Sequence, residues 1–179
     1  MAIKPTIYKL RVNLSDLNRD YYDTLSLTIA LHPSETIERM MARMLAFCIN
    51  AEPELSFTKG LSSIEEPDIW QRTLDDQIAL WIDIGEPASE RIKKASRQAK
   101  KVSVYSFNSK SDVWWQQGQS KFKQLNVSVY RFDWPGIQAL AALVERTMDF
   151  SVTITGDSAY IATQLGECEV SWEVLQSVS

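Results

Sequence analysis

Leu25, Leu27, Ile29 and Leu31 recur at every second position, the spacing of a strand with one face buried. An earlier run carries Ile7, Leu10, Val12 and Leu14, and the turn-like segment Asp16 to Asp20 separates the two. Together they predict an N-terminal β-hairpin. From Ser34 the rhythm changes. Ile37, Met40, Met41, Met44, Leu45 and Cys48 stand three and four apart, which predicts a helix with Ser34 as N-cap and its end near Asn50. Three short strands follow, at Leu55 to Lys59, Asp68 to Arg72 and Gln77 to Gly85, the last stopped by Gly85 and Pro87. Ala88 to Lys101 places Ile92, Ala95 and Ala99 on one side of a helix, and the β-branched and aromatic run Val102 to Phe107 reads as the next strand. The alternation repeats with a helix at Asp112 to Gln124, a strand at Val127 to Phe132 and a helix at Pro135 to Thr147. The tail predicts a second hairpin, Phe150 to Thr155 and Tyr160 to Leu165 around Gly156-Asp157, then a last apolar run at Val170 to Leu175.

The expected class is therefore α/β with a central mixed sheet, flanking helices and a β-hairpin at each end. No repeat, low-complexity tract or Gly/Ser linker divides the 179 residues, so a single domain is expected over 1–179. Composition narrows the chemistry. The first ten residues mix Lys4 and Lys9 with apolar residues and lack the apolar stretch of a secretory signal, and no segment approaches the ~20 apolar residues that span a bilayer. A cytoplasmic protein without membrane spans is expected. Cys48 and Cys168 are too few for a disulfide framework and too isolated for a zinc knuckle, so both read as buried thiols. His32, the single histidine, lies beside Pro33 and gives little footing to a serine or cysteine hydrolase. A net charge of -4 argues against nucleic-acid binding through bulk charge, so any such binding needs a local patch. Arg91, Lys93, Lys94, Arg97, Lys100 and Lys101 supply one: six basic residues within eleven.

The candidate chemistry sits between residues 34 and 107. The order there is helix, three short strands, helix, strand, with Pro67-Asp68 on the second strand and Asp83 near the end of the third. This arrangement resembles the core of the PD-(D/E)xK nucleases. The resemblance implies that Asp68 and Asp83 hold Mg²⁺ with the Ile84 carbonyl as a third ligand, that an acid on the first helix, Glu38, gives support, and that a lysine near the attacking water helps position or activate it. Carboxylates suit the task because hard divalent cations prefer oxygen ligands, and a metal-bound water loses its proton readily. Cross-strand neighbours on one face stand ~5 Å apart, within reach of one ion. The chain departs from the pattern at one point: the second motif reads Asp83-Ile84-Gly85, so glycine stands where the lysine is expected. Lys93 and Lys94 on the following helix are the replacements on offer, with Lys94 preferred, and Gln98 borders the same region.

The stretch Ser56 to Pro87, containing FTKGLSSIEEPDIW and LWIDIGEP, also resembles the YaeQ family across essentially the whole length. That resemblance implies a PD-(D/E)xK-like fold in a bacterial cytoplasmic protein of unestablished biochemical role. Two functions follow as expectations: a Mg²⁺-dependent nucleic-acid phosphodiesterase, or a non-catalytic nucleic-acid or protein-interaction module that kept the fold after losing the motif lysine. Plainer readings stand beside each residue. Asp68 caps a strand in solvent, Glu38 is an exposed helix glutamate with Glu35 equally available, and Lys94 pairs with Glu90 one turn earlier. Trp70, Trp81, Trp114 and Trp115 pack cores as readily as they stack on bases. Asp83 is the sharpest case. It ends a run whose same-side neighbours Ala79 and Trp81 look packed, and a buried carboxylate is costly unless something cationic sits beside it.

Overall fold

The structure is a computed structural model and describes residues 4–59, 61 and 63–178. In chain order its elements are β1 (Thr6–Asp16), β2 (Tyr21–Leu31), α1 (Ile37–Ile49), β3 (Leu55–Phe57), β4 (Ile69–Arg72), β5 (Ile78–Ile84), α2 (Ser89–Gln98), β6 (Ala99–Ser106), α3 (Ser111–Phe122), β7 (Val127–Phe132), α4 (Trp134–Ala141), β8 (Thr147–Thr155), β9 (Ser158–Thr163) and β10 (Gly166–Gln176). They fall into two compact units, residues 1–49 with 133–172, and residues 50–132 with 173–179. The expected nuclease-like core is shared out accordingly, 34–49 in the first unit and 50–107 in the second.

The first unit carries the strand order β2-β1-β8-β9-β10. Strict alternation turns Tyr8, Leu10, Val12 and Leu14 inward along β1, while Ile7 faces outward, one step out of the phase expected for it. The hairpin register sets Leu10 opposite Leu27 and Val12 opposite Leu25. On its other side β1 runs parallel to β8, with Leu10 beside Met148 and Val12 beside Phe150, so apolar rows cross three strands. The two terminal hairpins thus share one sheet, a pairing between chain ends that local periodicity does not reveal. Helix α1 is buried almost all round, through Met40, Met41, Ala42, Met44, Leu45, Ala46, Phe47 and Cys48.

Two helix ends differ from expectation, and one cap. The cap of α1 is Thr36, whose Oγ1 accepts from Arg39 N at 3.1 Å, while the Ser34 hydroxyl meets His32 Nδ1 at 2.8 Å. Helix α4 stops at Ala141 and not at Thr147, because Thr147 onward is recruited into β8 and Arg146 O accepts from Lys9 N at 2.9 Å. Helix α2 stops at Gln98, because Ala99 to Lys101 pair with β5: Ala99 stands beside Ile78 and Lys101 beside Leu80. Sheet pairing outweighs the helical pattern in both places.

Asp133 starts α4 and holds more than the helix. Its Oδ2 accepts from Gly136 N at 2.7 Å, and its Oδ1 accepts from Ser171 N at 2.7 Å and from the Ser171 hydroxyl at 3.2 Å. Replacing a capping aspartate by alanine costs ~1 kcal/mol or somewhat more, and here a strand amide loses its partner too. Asp133→Ala is therefore expected to lower the denaturation free energy by about 1–2 kcal/mol without changing the denaturant m-value, as measured by urea unfolding.

The second unit carries the order β10-β7-β6-β5-β4-β3, with β5, β6 and β7 parallel and β3, β4 and β5 antiparallel. Its core gathers Trp81, Ile92, Ala95, Val102, Val104, Phe122, Val127 and Val129. Trp114 and Trp115 pack on it from α3, and the indole N–H of Trp114 donates to Pro87 O at 2.8 Å. That is the packing role of tryptophan. Both rings lie against Phe122, with centroids 5.2 and 5.9 Å away. Among the described residues no helix is long and apolar enough to cross a membrane.

Candidate functional site

Antiparallel β4 and β5 bring the two acidic residues into one neighbourhood. Asp68 immediately precedes β4 and donates its backbone N–H to Ile82 O at 3.0 Å, and its Oδ2 accepts from Ile84 N at 2.8 Å. Asp83 lies one residue before Ile84, near the end of β5. Both are sequestered, Asp68 at 5% and Asp83 at 3% exposure. Burial pushes the Asp83 carboxyl above the usual carboxylate range, and the nearby charge of Asp68 adds to the rise. The Arg91 guanidinium opposes it. So does Trp81, whose buried indole N–H has no aligned hydrogen-bond partner and acts on the carboxylate as a dipole.

The cation that a buried Asp83 requires is Arg91. Its Nε donates to Asp83 Oδ2 at 2.9 Å and its Nη2 to Asp83 Oδ1 at 3.3 Å, the forked geometry that guanidinium offers a carboxylate. The same side chain donates from Nη2 to Glu66 O at 2.9 Å and from Nη1 to Ile64 O, and it lies over the Trp81 ring with 5.7 Å to the centroid. Arg91 entered the sequence reading only as part of a basic stripe. Helical spacing held the signal: positions 91, 95 and 98 share a face, and that face includes buried Ala95.

The other expected residues are placed as follows. Lys94 is exposed and lines a cleft of about 260 Å³ with Ile64, Glu65, Trp81, Arg91, Ala95 and Gln98. Gln98 borders that cleft, as its position on α2 suggests. Lys93 is exposed and is not among the cleft residues. Lys100 and Lys101 belong to β6, so the stripe of six basic residues is not one helix face. Glu38 lies in the first turn of α1, in the first unit, half-exposed. Glu35, the alternative to Glu38, is committed elsewhere: its carboxylate pairs with Arg39 at 2.6 Å and Arg43 at 2.8 Å.

Gly85 has a φ of +113°, a conformation that side chains with a Cβ rarely adopt, and its N–H donates to Tyr105 O at 2.8 Å. A lysine at this position would strain the backbone. Among the described residues no group of three or more His, Cys, Asp or Glu side chains is arranged to hold a metal. A hard divalent cation takes about six oxygens, and a cation at Asp83 would have to displace the guanidinium that both carboxylate oxygens face.

The remaining candidate groups lead elsewhere. Burial pushes the Cys48 thiol up to about 12 and the Cys168 thiol up to about 11, so both stay protonated at neutral pH. A wider cavity of about 550 Å³ in the first unit is lined by Lys9, Arg11, Glu145 and Asp149 among others. Its charges balance, with Arg11 3.9 Å from Asp149.

Ten strands and four helices among the described residues, with a buried acidic pair formed by Asp68 just before β4 and Asp83 on β5, define a mixed α/β protein. The chain belongs to the YaeQ family, whose model, described as YaeQ protein, matches residues 1–172. It is 42% identical over 181 residues to the uncharacterised protein YaeQ of Escherichia coli strain K12, covering 100% of both chains. The crystal structure of YaeQ protein from Xanthomonas axonopodis pv. citri superposes with a TM-score of 0.93 at 34% identity, over 97% of this chain and 99% of that one. YaeQ protein from Pseudomonas syringae gives a TM-score of 0.92 at 33% identity, over 97% of each.

Proposed function

We propose that the second unit is a nucleic-acid-binding module that does not cut its ligand. The observation that carries this reading is Arg91. The charge that a metal would neutralise at Asp83 is already met by a guanidinium, and two backbone carbonyls hold that guanidinium in place. A guanidinium keeps its proton at any working pH, so it neither accepts a proton from water nor polarises one as a metal ion does. The lysine that would assist the attack is replaced by Gly85. What α2 still offers are the exposed cations Lys93, Lys94 and Arg97, which suit phosphate contacts.

A second reading keeps the pair catalytic. It draws on the mutual charge effect of Asp68 on Asp83, which a divalent cation would relieve. In that reading Mg²⁺ bound by Asp68, Asp83 and the Ile84 carbonyl displaces Arg91, Glu38 supports the site and Lys94 stands near the attacking water.

One set of measurements separates the two. Binding of single-stranded DNA and RNA, followed by fluorescence anisotropy against salt, is expected to weaken at least tenfold when Lys93, Lys94 and Arg97 are all changed to alanine, with the salt slope falling by about 2–3. Thermal melts with millimolar Mn²⁺ are expected to show no upward shift, and the nucleic acid is expected to remain intact. Absence of salt-dependent binding in the parent protein sinks the module reading. A Mn²⁺-dependent rise in Tm that Asp83→Asn abolishes, together with cleavage that Lys94→Ala abolishes, would establish the catalytic one.

A further inference from the structure

Between β3 and β4 the chain leaves the sheet and returns, and both ends of the excursion are clamped. Thr58 N donates to Asp68 O at 3.2 Å, and the Thr58 hydroxyl donates to Pro67 O. Between those clamps Arg91 reaches the segment from α2, donating to Ile64 O and Glu66 O. Apolar packing does not hold the segment, since Ile64 is 83% exposed and Leu61 43%. Yet Ile64 and Glu65 form one wall of the 260 Å³ cleft, facing Lys94, Ala95 and Gln98 on α2. The guanidinium that fastens this wall is itself anchored on Asp83.

We propose that Ile64–Glu66 is a strap fastened across the cleft by Arg91, and that lifting it admits a phosphate-bearing single strand to Lys94 and Gln98. The proposal rests on the nucleic-acid reading of α2 and adds its regulation. With the strap down, the Glu65 carboxylate shares the cleft with Lys94 and opposes a phosphate. With the strap up, Lys94 keeps its charge and Glu65 no longer lines the cleft. The strap is suited to movement because an exposed segment with few buried contacts opens at little cost. Arg91 makes the opening a discrete event, since loss of one side chain's fork releases both carbonyls together.

Limited proteolysis with a glutamate-specific protease, in the absence of nucleic acid, tests the strap by itself. Cleavage after Glu65 is expected to be at least tenfold faster in Arg91→Lys and Arg91→Gln than in the parent protein, with cleavage at glutamates of the first unit unchanged. Asp83→Asn, which keeps Arg91 but removes its anchor, is expected to give a smaller acceleration, and it serves if the Arg91 variants do not fold. Unchanged cleavage after Glu65 in a folded variant, or acceleration shared equally by every site, overturns the strap. The admission step is read separately with a fluorescent oligothymidylate. Arg91→Lys is expected to bind it at least threefold tighter, and Glu65→Gln to do the same without faster cleavage elsewhere in the strap segment by trypsin after Lys59. A freed strap with unchanged affinity overturns the gating. Failure of the parent protein to bind any strand would sink the nucleic-acid reading while leaving the proteolysis result standing.

Discussion

Glu35→Gln is expected to cost the protein about 3–5 kcal/mol, among the largest effects of any single substitution, because it leaves a buried guanidinium without its counter-charge. Arg43 projects from α1 into the first unit, is 4% exposed, and donates from Nε to Glu35 Oε2 and from Nη2 to Glu35 Oε1, both at 2.8 Å. The same Nη2 donates to Ala30 O at 2.8 Å, so the arginine also ties α1 to β2. Arg39 adds a third contact to the carboxylate. A glutamine keeps the shape and one acceptor but removes the charge, and Arg43 is then buried against a neutral amide. The measurement is urea unfolding of Glu35→Gln, Glu35→Met, Arg43→Met and the double variant Glu35→Met/Arg43→Met. Each single change should be strongly destabilising, whereas the double should lose far less than the sum, because replacing both ions with apolar groups removes the unpaired charge as well as the bond. Additive losses would show that the two residues act independently and that the pair is not the reason α1 seats as it does.

The fold was legible in the sequence wherever a pattern is local. Period two in Leu25 to Leu31 and the three-and-four spacing from Met40 to Cys48 lead directly to β2 and α1. Phase was harder: Ile7 looks like the start of the buried row, but the register with Leu27 and Met148 turns Tyr8 and Leu10 inward instead. The ends of α2 and α4 are not legible locally, because what stops each helix lies far along the chain. Ala99 is claimed by Ile78, and Thr147 by Lys9. No helical propensity records such a partner. The candidate site shows the same division. Asp68 and Asp83 follow from strands adjacent in sequence, and the need of a buried Asp83 for a cation follows from desolvation alone. Which cation meets it is not legible from the motif, because the motif pattern points to a lysine at position 85, where glycine stands. The face of α2 that carries Ala95 inward also carries Arg91, and that spacing, taken by itself, points to the arginine. Glu38 drew attention as a helix acid; contacts within the first unit show Glu35, three residues away, as the one built into the packing.

Arg91→Ala is expected to destabilise the protein in a way that depends on pH, and the sign of the dependence identifies the cause. The arginine side chain is about a third exposed, so part of its loss is screened by water, and a cost of about 2–3 kcal/mol at neutral pH is expected. Asp83 then remains buried beside Asp68 with only the Trp81 dipole to favour its charge. Its carboxyl, already above the ordinary range through burial, rises further. A folded-state carboxyl that holds its proton more tightly than the unfolded chain does contributes stability below the unfolded value, and that contribution is lost as pH rises through the folded one. The deficit of Arg91→Ala relative to the parent should therefore be largest at neutral to mildly alkaline pH and shrink as pH falls and Asp83 takes up a proton. Asp83→Asn in the Arg91→Ala background removes the titrating group, so the double variant should show a deficit that is flat over the same range and smaller at neutral pH than that of Arg91→Ala alone. Thermal melts of the parent, Arg91→Ala, Asp83→Asn and the double variant across that range decide the matter. A deficit for Arg91→Ala that does not change with pH would mean that Arg91 stabilises the fold through Ile64 and Glu66 alone, and that its bond to Asp83 carries no charge.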